Sequence, residues 1–174
     1  PQGEITLIAP TDIVAKTGEK RTVDGVPLEF QIVSGSEAPA EVNVYIVPPK
    51  VFLSAEISTC SLHNILTPRG AKVRDAHAWA GFLDQALRLY APRSEALISS
   101  HCWPRFGAGE VAATLAPHRD NYRYLHDQTV RAMNAGATMD EIAEAVVQSP
   151  EIAARWDDRG YYGTYRDNAK AIYQ

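Results

Sequence analysis

The first third of the chain alternates short hydrophobic runs with residues that favour turns. Four runs rich in β-branched and aromatic residues predict β-strands at 4–9, 25–33, 41–47 and 50–57. Pairs such as Asp24-Gly25 and Pro48-Pro49 separate these runs. Because the two prolines leave only a tight connection, we expect residues 42–47 and 51–55 to pair antiparallel.

Beyond Cys60, hydrophobic residues recur every three to four positions instead of every second position. This spacing predicts a helix over 75–90, stopped before Pro92, then a short strand over 95–99 and a long helix over 109–134. Thr138 and Glu141 form a capping box that predicts a further helix to about residue 147. Residues 157–165 are turn-rich and aromatic. No repeat or linker interrupts the chain, so the pattern predicts one compact α/β (α+β) unit.

Composition and charge narrow the classes of function. The 174 residues are 45% hydrophobic and carry a net charge of −4, as in ordinary folded domains and unlike most nucleic-acid-binding proteins. No hydrophobic run is long enough for a membrane span. The chain begins at Pro1 without Met, and we expect it to be part of a longer protein. The two cysteines, Cys60 and Cys102, lack metal-binding spacing, and we expect free thiols rather than a disulfide.

Three residues that could bind a metal lie where predicted strands end or turn. Glu37 lies in a Gly-Ser-Glu-Ala-Pro turn, Glu56 ends the run 50–57, and His101 follows the strand 95–99. Zinc accepts oxygen and nitrogen donors of this kind. The alternative for each is an ordinary strand-end ion pair or hydrogen bond, and the pattern by itself does not choose between them.

The order of these elements, with several long sequence motifs, resembles the type III (zinc-dependent) alkyl sulfatases of the metallo-β-lactamase superfamily. The motif GSEAP at 35–39 places Glu where most of the superfamily has His, an exchange typical of this branch. More specific are residues 62–75, LHNILTPRGAKVRD, residues 118–129, HRDNYRYLHDQT, and residues 159–163, RGYYG. The resemblance covers nearly the whole chain and implies an αββα sandwich of which residues 1–174 form the C-terminal portion.

The resemblance also implies site residues and an activity. Glu37 would bind one Zn²⁺, Glu56 would bridge two and act in catalysis, and His101 would bind the other. Residues that would bind the sulfate group are Asn64, Arg69 and Arg74. A guanidinium suits this task because its planar donors match two sulfate oxygens. The implied reaction is hydrolysis of alkyl sulfates, such as dodecyl sulfate, to an alcohol and inorganic sulfate, by a periplasmic or secreted bacterial homodimer.

Several features depart from the family pattern. The chain has no His-x-His motif, so the family's upstream His-x-His-x-Asp-His loop is absent, as are its downstream dimerisation and sterol-carrier-like domains. We therefore expect the isolated chain to bind zinc poorly and to be inactive. Cys102 replaces a common second His, Pro68 interrupts the Thr-x-Arg-Gly element, and Asp167 replaces a His that could assist proton transfer.

Other interpretations remain open from the residues themselves. Arg69 and Arg74 could form structural ion pairs, and Asn64 could cap a helix. We expect structural roles for three histidines, His63, His118 and His126, and packing roles for four aromatic residues, Trp156, Tyr161, Tyr162 and Tyr165. The alternative functions are a related two-zinc ester hydrolase and a non-catalytic fragment.

Overall fold

A computed structural model describes residue 3 and residues 6–174 of the chain. It contains one six-stranded sheet in the order β1-β2-β3-β4-β5-β6. The strands are β1 (Lys20–Val23), β2 (Val26–Ile32), β3 (Val42–Ile46), β4 (Val51–Leu53), β5 (Ala96–Ile98) and β6 (Arg105–Phe106). All neighbouring pairs are antiparallel except β4 and β5, which are parallel.

Five α-helices accompany the sheet within the described residues. They are α1 (Ala76–Leu89), α2 (Ala108–Asn134), α3 (Met139–Ala145), α4 (Pro150–Ala153) and α5 (Tyr165–Tyr173), with short 3₁₀ turns at Ala91–Arg93 and Trp156–Asp158. Helix α1 forms the crossover between β4 and β5, as a parallel pair requires. In this part of the chain no helix combines the length and the apolar character needed to cross a bilayer.

One face of the sheet packs against the helices. Tyr45, Phe52 and Leu97 lie opposite one another on β3, β4 and β5, and all are buried. Trp79 of α1 and Leu115 of α2 belong to the same hydrophobic core. Burial of such side chains contributes about 1.5–3 kcal/mol each, so this layer is the main source of stability.

The opposite face of the sheet is also hydrophobic but is less covered. Phe30, Val44, Leu53 and Ile98 form a second row across β2 to β5. The first three are half-buried and Ile98 is 40% exposed. The described residues thus form a helix layer and a sheet layer, with a second hydrophobic sheet face left open.

The sequence predictions agree with most of this architecture. The strands at 25–33, 41–47 and 95–99, the antiparallel pairing across the two prolines and the helices over 75–90, 109–134 and 138–147 are confirmed within a few residues. The strand predicted over 50–57 is shorter, because the chain turns at Ala55, whose φ is 44°.

Three points of the prediction differ from the structure. The strand predicted over 4–9 lies partly outside the described residues, and residues 6–9 form no strand and are exposed. Strands β1 and β6 were not predicted. Every residue of β1, KRTV, is exposed, so this edge strand has no hydrophobic alternation to reveal it.

Candidate metal centre

The direction of the strands explains why the three predicted ligands lie at the same edge of the sheet. Because β2 is antiparallel to β3, and β3 to β4, strands β2, β4 and β5 all run the same way. The chain leaves their carboxyl ends at one edge of the sheet. Glu37 follows β2, Glu56 follows β4 and His101 follows β5, so all three are delivered to this edge.

The Glu56 carboxylate lies between two imidazoles. Its Oε1 is 2.9 Å from His101 Nε2, and its Oε2 is 3.2 Å from His63 Nε2. His101 is largely exposed, with 73% of its side chain accessible, whereas His63 is buried. Glu37, Glu56 and His63 each offer one donor atom, and these atoms all lie within 4.8 Å of one another. The cluster therefore has the donors to hold a metal ion.

The backbone conformation orients two of these residues. Ala55, directly before Glu56, and His101 itself adopt positive φ angles of 44° and 61°. Such angles are unfavourable for residues other than glycine and tend to occur at functional sites. Ser54, Ser58 and Ser99 join hydroxyls at 2.7 to 3.0 Å and tie the Glu56 turn to the end of β5.

A disulfide bond reinforces the same connection, contrary to the sequence prediction of free thiols. Cys60 and Cys102 are bonded, with their Cα atoms 5.5 Å apart. The two lie 42 residues apart in the chain, which concealed the pairing. They meet because they follow parallel neighbouring strands, β4 and β5, at the same edge of the sheet.

Arg74 is buried next to the cluster, and its guanidinium donates hydrogen bonds to other protein groups. Its Nε donates to the Glu37 carbonyl at 2.8 Å and its Nη2 to Glu37 Oε1 at 2.5 Å. Its Nη1 donates to the backbone and side-chain oxygens of Asn64 at 2.8 and 2.6 Å. Only 7% of the Arg74 side chain is exposed. The geometry therefore gives Arg74 and Asn64 a role in holding Glu37.

Arg69 contrasts with Arg74. It lies in the exposed loop 68–73 and makes no ion pair or hydrogen bond with any residue that the structure describes. The Arg69 guanidinium is therefore exposed, whereas that of Arg74 is buried and donates to Glu37 and Asn64. The structure thus separates two arginines that the sequence motif treats alike.

His63 was predicted to be structural, and no signal in the sequence indicated that it would face Glu56. His63 Nδ1 lies 3.0 Å from the Asn64 carbonyl oxygen and 3.1 Å from Arg74 Nη1, and its Nε2 lies 3.2 Å from Glu56 Oε2. The buried ring therefore links the Glu56 carboxylate to Asn64 and Arg74 and restrains its orientation.

Gly163 of the RGYYG segment, together with Asn168 and Tyr122, packs against or bonds the backbone of His63. Gly163 packs so closely that a Cβ placed there would lie 2.4 Å from the His63 carbonyl oxygen. Asn168 receives the Ile65 N–H and donates to the His63 carbonyl, both at 2.9 Å. Tyr122 accepts the His63 N–H at 3.1 Å, and burial raises the pKa of its phenol, which keeps the hydroxyl neutral.

A cavity of about 380 Å³ opens beside the cluster. His63 and His101 line it together with aromatic side chains, namely Trp103, Trp156, Tyr161 and Tyr162. The last three were expected to be packing residues together with Tyr165, but they are exposed, and only Tyr165 is buried. Tyr162 packs edge-on against the His63 ring, with the ring centroids 4.7 Å apart, so partial exposure and packing occur together in this group.

Three remaining positions have local structural partners. His118 is buried on α2 and bonds the Thr114 carbonyl at 3.0 Å, and His126 bonds Asp127 at 2.9 Å. Asp167 receives the Thr164 hydroxyl at 2.9 Å in the cap of α5. Asp167 thus stabilises the start of α5.

Comparisons with known proteins give close relatives. No family model matches the chain. An (R)-specific secondary-alkylsulfatase of a Pseudomonas species is 45% identical over 97% of the chain, and the Saccharomyces cerevisiae alkyl/aryl-sulfatase BDS1 is 41% identical over 99%. The chain spans about a quarter of these relatives, 26% and 27% of their lengths.

Solved structures show the same similarity to alkylsulfatases. A stereoselective inverting sec-alkylsulfatase from a Pseudomonas species superposes with a TM-score of 0.93 at 45% identity, over 97% of this chain and 27% of that one. A metallo-β-lactamase family protein from Thermus thermophilus gives a TM-score of 0.54 at 13% identity, over 94% and 48% of the two chains, which shows the fold alone. By sequence, the chain belongs with the alkylsulfatases, as a partial domain, and its fold is similar to that of a metallo-β-lactamase family protein.

Proposed function

We propose that the whole protein is a zinc-dependent hydrolase that cleaves alkyl sulfate esters, such as dodecyl sulfate, into an alcohol and inorganic sulfate. The observation that carries this proposal is the delivery of Glu37, Glu56 and His101 from three strand ends to one edge of the sheet, where Glu56 lies near Glu37 and 2.9 Å from His101. The similarity to alkylsulfatases over almost the entire chain supports the substrate class.

The donors fit Zn²⁺, which accepts carboxylate oxygen and imidazole nitrogen. Glu56 presents its two oxygens to different neighbours, His101 and His63, and a carboxylate in this position is suited to bridging two ions. Glu37 and His101 would each hold one of them. Bound zinc would supply Lewis acidity and lower the pKa of a water molecule. Within this chain, His63 keeps Glu56 oriented and Arg74 keeps Glu37 oriented.

The sulfate group would be bound on the open side of the cluster. Of the residues implied by family resemblance, Arg69 has the accessible guanidinium. Asn64 holds its side-chain oxygen toward Arg74, while its Nδ2 makes only a long contact of 3.5 Å with Thr67 Oγ1. We therefore assign direct sulfate binding to Arg69 and Asn64. Arg74 would instead hold Glu37 in position.

The aromatic cavity supports an apolar substrate tail. Trp103, Trp156 and Tyr161 present exposed ring surface beside His101. Burying an alkyl chain there would contribute about 0.8 kcal/mol per methylene group. Chain-length preference would then depend on these rings.

The open hydrophobic row Phe30, Val44, Leu53 and Ile98 supports the assignment of residues 1–174 as the C-terminal portion of a sandwich. A second sheet layer from the rest of the protein would cover it. We further propose that the whole protein forms a homodimer, which light scattering would test.

A substrate panel tests the activity. We expect the zinc-loaded full-length protein to release sulfate from dodecyl sulfate and from a secondary alkyl sulfate, and to leave phosphodiesters, lactones and β-lactams intact. Glu56→Gln should abolish release, while the matched exposed control Glu144→Gln should not. Preference for another ester would favour a related two-zinc hydrolase, and binding of zinc without hydrolysis would favour a non-catalytic protein.

A further inference from the structure

The Glu41 carboxylate joins the two loops that carry Glu37 and Glu56. Its Oε2 accepts the Ser36 hydroxyl at 2.8 Å. The same oxygen accepts the backbone N–H groups of Glu37 and Ala38, at 2.8 and 3.2 Å. Its Oε1 accepts the backbone N–H of Glu56 at 2.8 Å. One side chain thus holds donors from two separate loops.

Glu41 balances its charge without a cation. No arginine, lysine or histidine that the structure describes forms an ion pair with it. Its negative charge is met instead by three backbone N–H groups and by the Ser36 hydroxyl, which also lies 2.6 Å from the Val33 carbonyl oxygen. Both carboxylate oxygens therefore accept bonds from the loops that carry Glu37 and Glu56.

The two loops have no direct connection through the sheet. Strand β3 separates β2 from β4, so no ladder bond fixes Glu37 relative to Glu56. Ala55, directly before Glu56, has a positive φ that the surroundings must maintain. The bond from the Glu56 N–H to Glu41 constrains the turn at this point.

We propose that Glu41 is a positioning residue that sets the separation and orientation of Glu37 and Glu56 for metal binding. This proposal rests on the proposed metal centre. Glutamine at position 41 has nearly the same shape, but its amide nitrogen must face either the Glu37 loop or the Glu56 loop. Because those groups are donors, one loop loses its acceptor and meets another donor.

The test uses Co²⁺ as a spectroscopic probe in the full-length protein. Glu41→Gln, Glu41→Asp and the exposed control Glu144→Gln are compared by chelator competition for Co²⁺ affinity, by the visible spectrum of bound Co²⁺ and by melting of the metal-free protein. We expect Glu41→Gln to weaken Co²⁺ binding about tenfold to a hundredfold and to change the spectrum. Glu41→Asp keeps the charge but is one methylene shorter, and should fall between.

The outcomes separate the two proposals. Wild-type affinity and spectrum in folded Glu41→Gln and Glu41→Asp would overturn the role of Glu41, even if both variants melted at lower temperature. If Glu41→Gln fails to fold, the same readout on Glu41→Asp decides. If the wild-type protein binds no Co²⁺, the metal centre itself is refuted, and the positioning role with it.

Discussion

Replacing Arg74 by alanine is the substitution on which the sequence motif and the structure differ most. The motif implies a substrate-binding arginine, whose loss should reduce turnover far more than metal content. The structure buries this guanidinium against Glu37 and Asn64. We therefore expect Arg74→Ala to lower both stability and metal affinity.

The magnitude follows from burial. The Arg74 side chain is 7% exposed and that of Glu37 is 25% exposed. Removing one partner of a buried pair costs about 3–5 kcal/mol because the other charge is left unpaired. Partial solvation of Glu37 places the cost near the lower end, at about 3 kcal/mol. In a cooperative unit of about 150–250 residues each kcal/mol shifts the melting temperature by about 2–4 °C, and larger units shift less, so about 6–12 °C is the upper bound of the expected decrease in the full-length protein.

The assay combines thermal melting, zinc content by mass spectrometry and sulfate release in the full-length protein. Arg74→Lys should rescue partly, since one ammonium group restores the charge but not the planar fork that reaches both Glu37 and Asn64. Arg69→Ala is the matched control. Because Arg69 is exposed, it should keep the melting temperature and zinc while losing turnover. An Arg74→Ala protein with unchanged melting and zinc, but reduced turnover, would refute this reasoning.

Three further predictions concern the support around the site. Gly163→Ala should destabilise the protein by about 1–3 kcal/mol or more in denaturant melts, because the new methyl group would overlap the His63 carbonyl; a neutral effect would contradict this close approach. Thr138→Ala should cost about 1 kcal/mol through loss of the α3 cap, without changing metal affinity. Burial raises the pKa of Asp158 beside His118. Protonated Asp158 therefore contributes its full stabilisation at pH values below its pKa in the unfolded chain, and this contribution is lost as the pH rises through its pKa in the folded protein. Asp158→Asn should flatten the dependence of the free energy of unfolding on pH in that range.

Much of the fold could be predicted because hydrophobic periodicity reports burial directly. Tyr45 and Phe52 face the helices and alternate with half-buried neighbours, so their strands are visible in the sequence. Strand β1 could not be recognised, because none of its residues is buried. It forms by backbone pairing with β2, for which side chains give little signal.

The site could be predicted only in part. Positions after strands indicated Glu37, Glu56 and His101, since strand direction brings such ends together. The contact of His63 with Glu56 depends on tertiary packing under Gly163 and Asn168. Likewise, Arg74 differs from Arg69 in burial, and the spacing of the two arginines along the chain does not indicate which one is buried.

The Cys60–Cys102 bond has a consequence for the unfolded chain. It closes a loop across a sequence separation of 42 residues, which removes many conformations from the unfolded state and stabilises the fold by about 4 kcal/mol in the chain-entropy account. The same bond joins the segments that follow Glu56 and His101. Since disulfides persist in oxidising compartments and are reduced in the cytosol, protein made in a reducing cytoplasm would lose this restraint. Oxidative refolding should restore it, with a gain in melting temperature that dithiothreitol reverses.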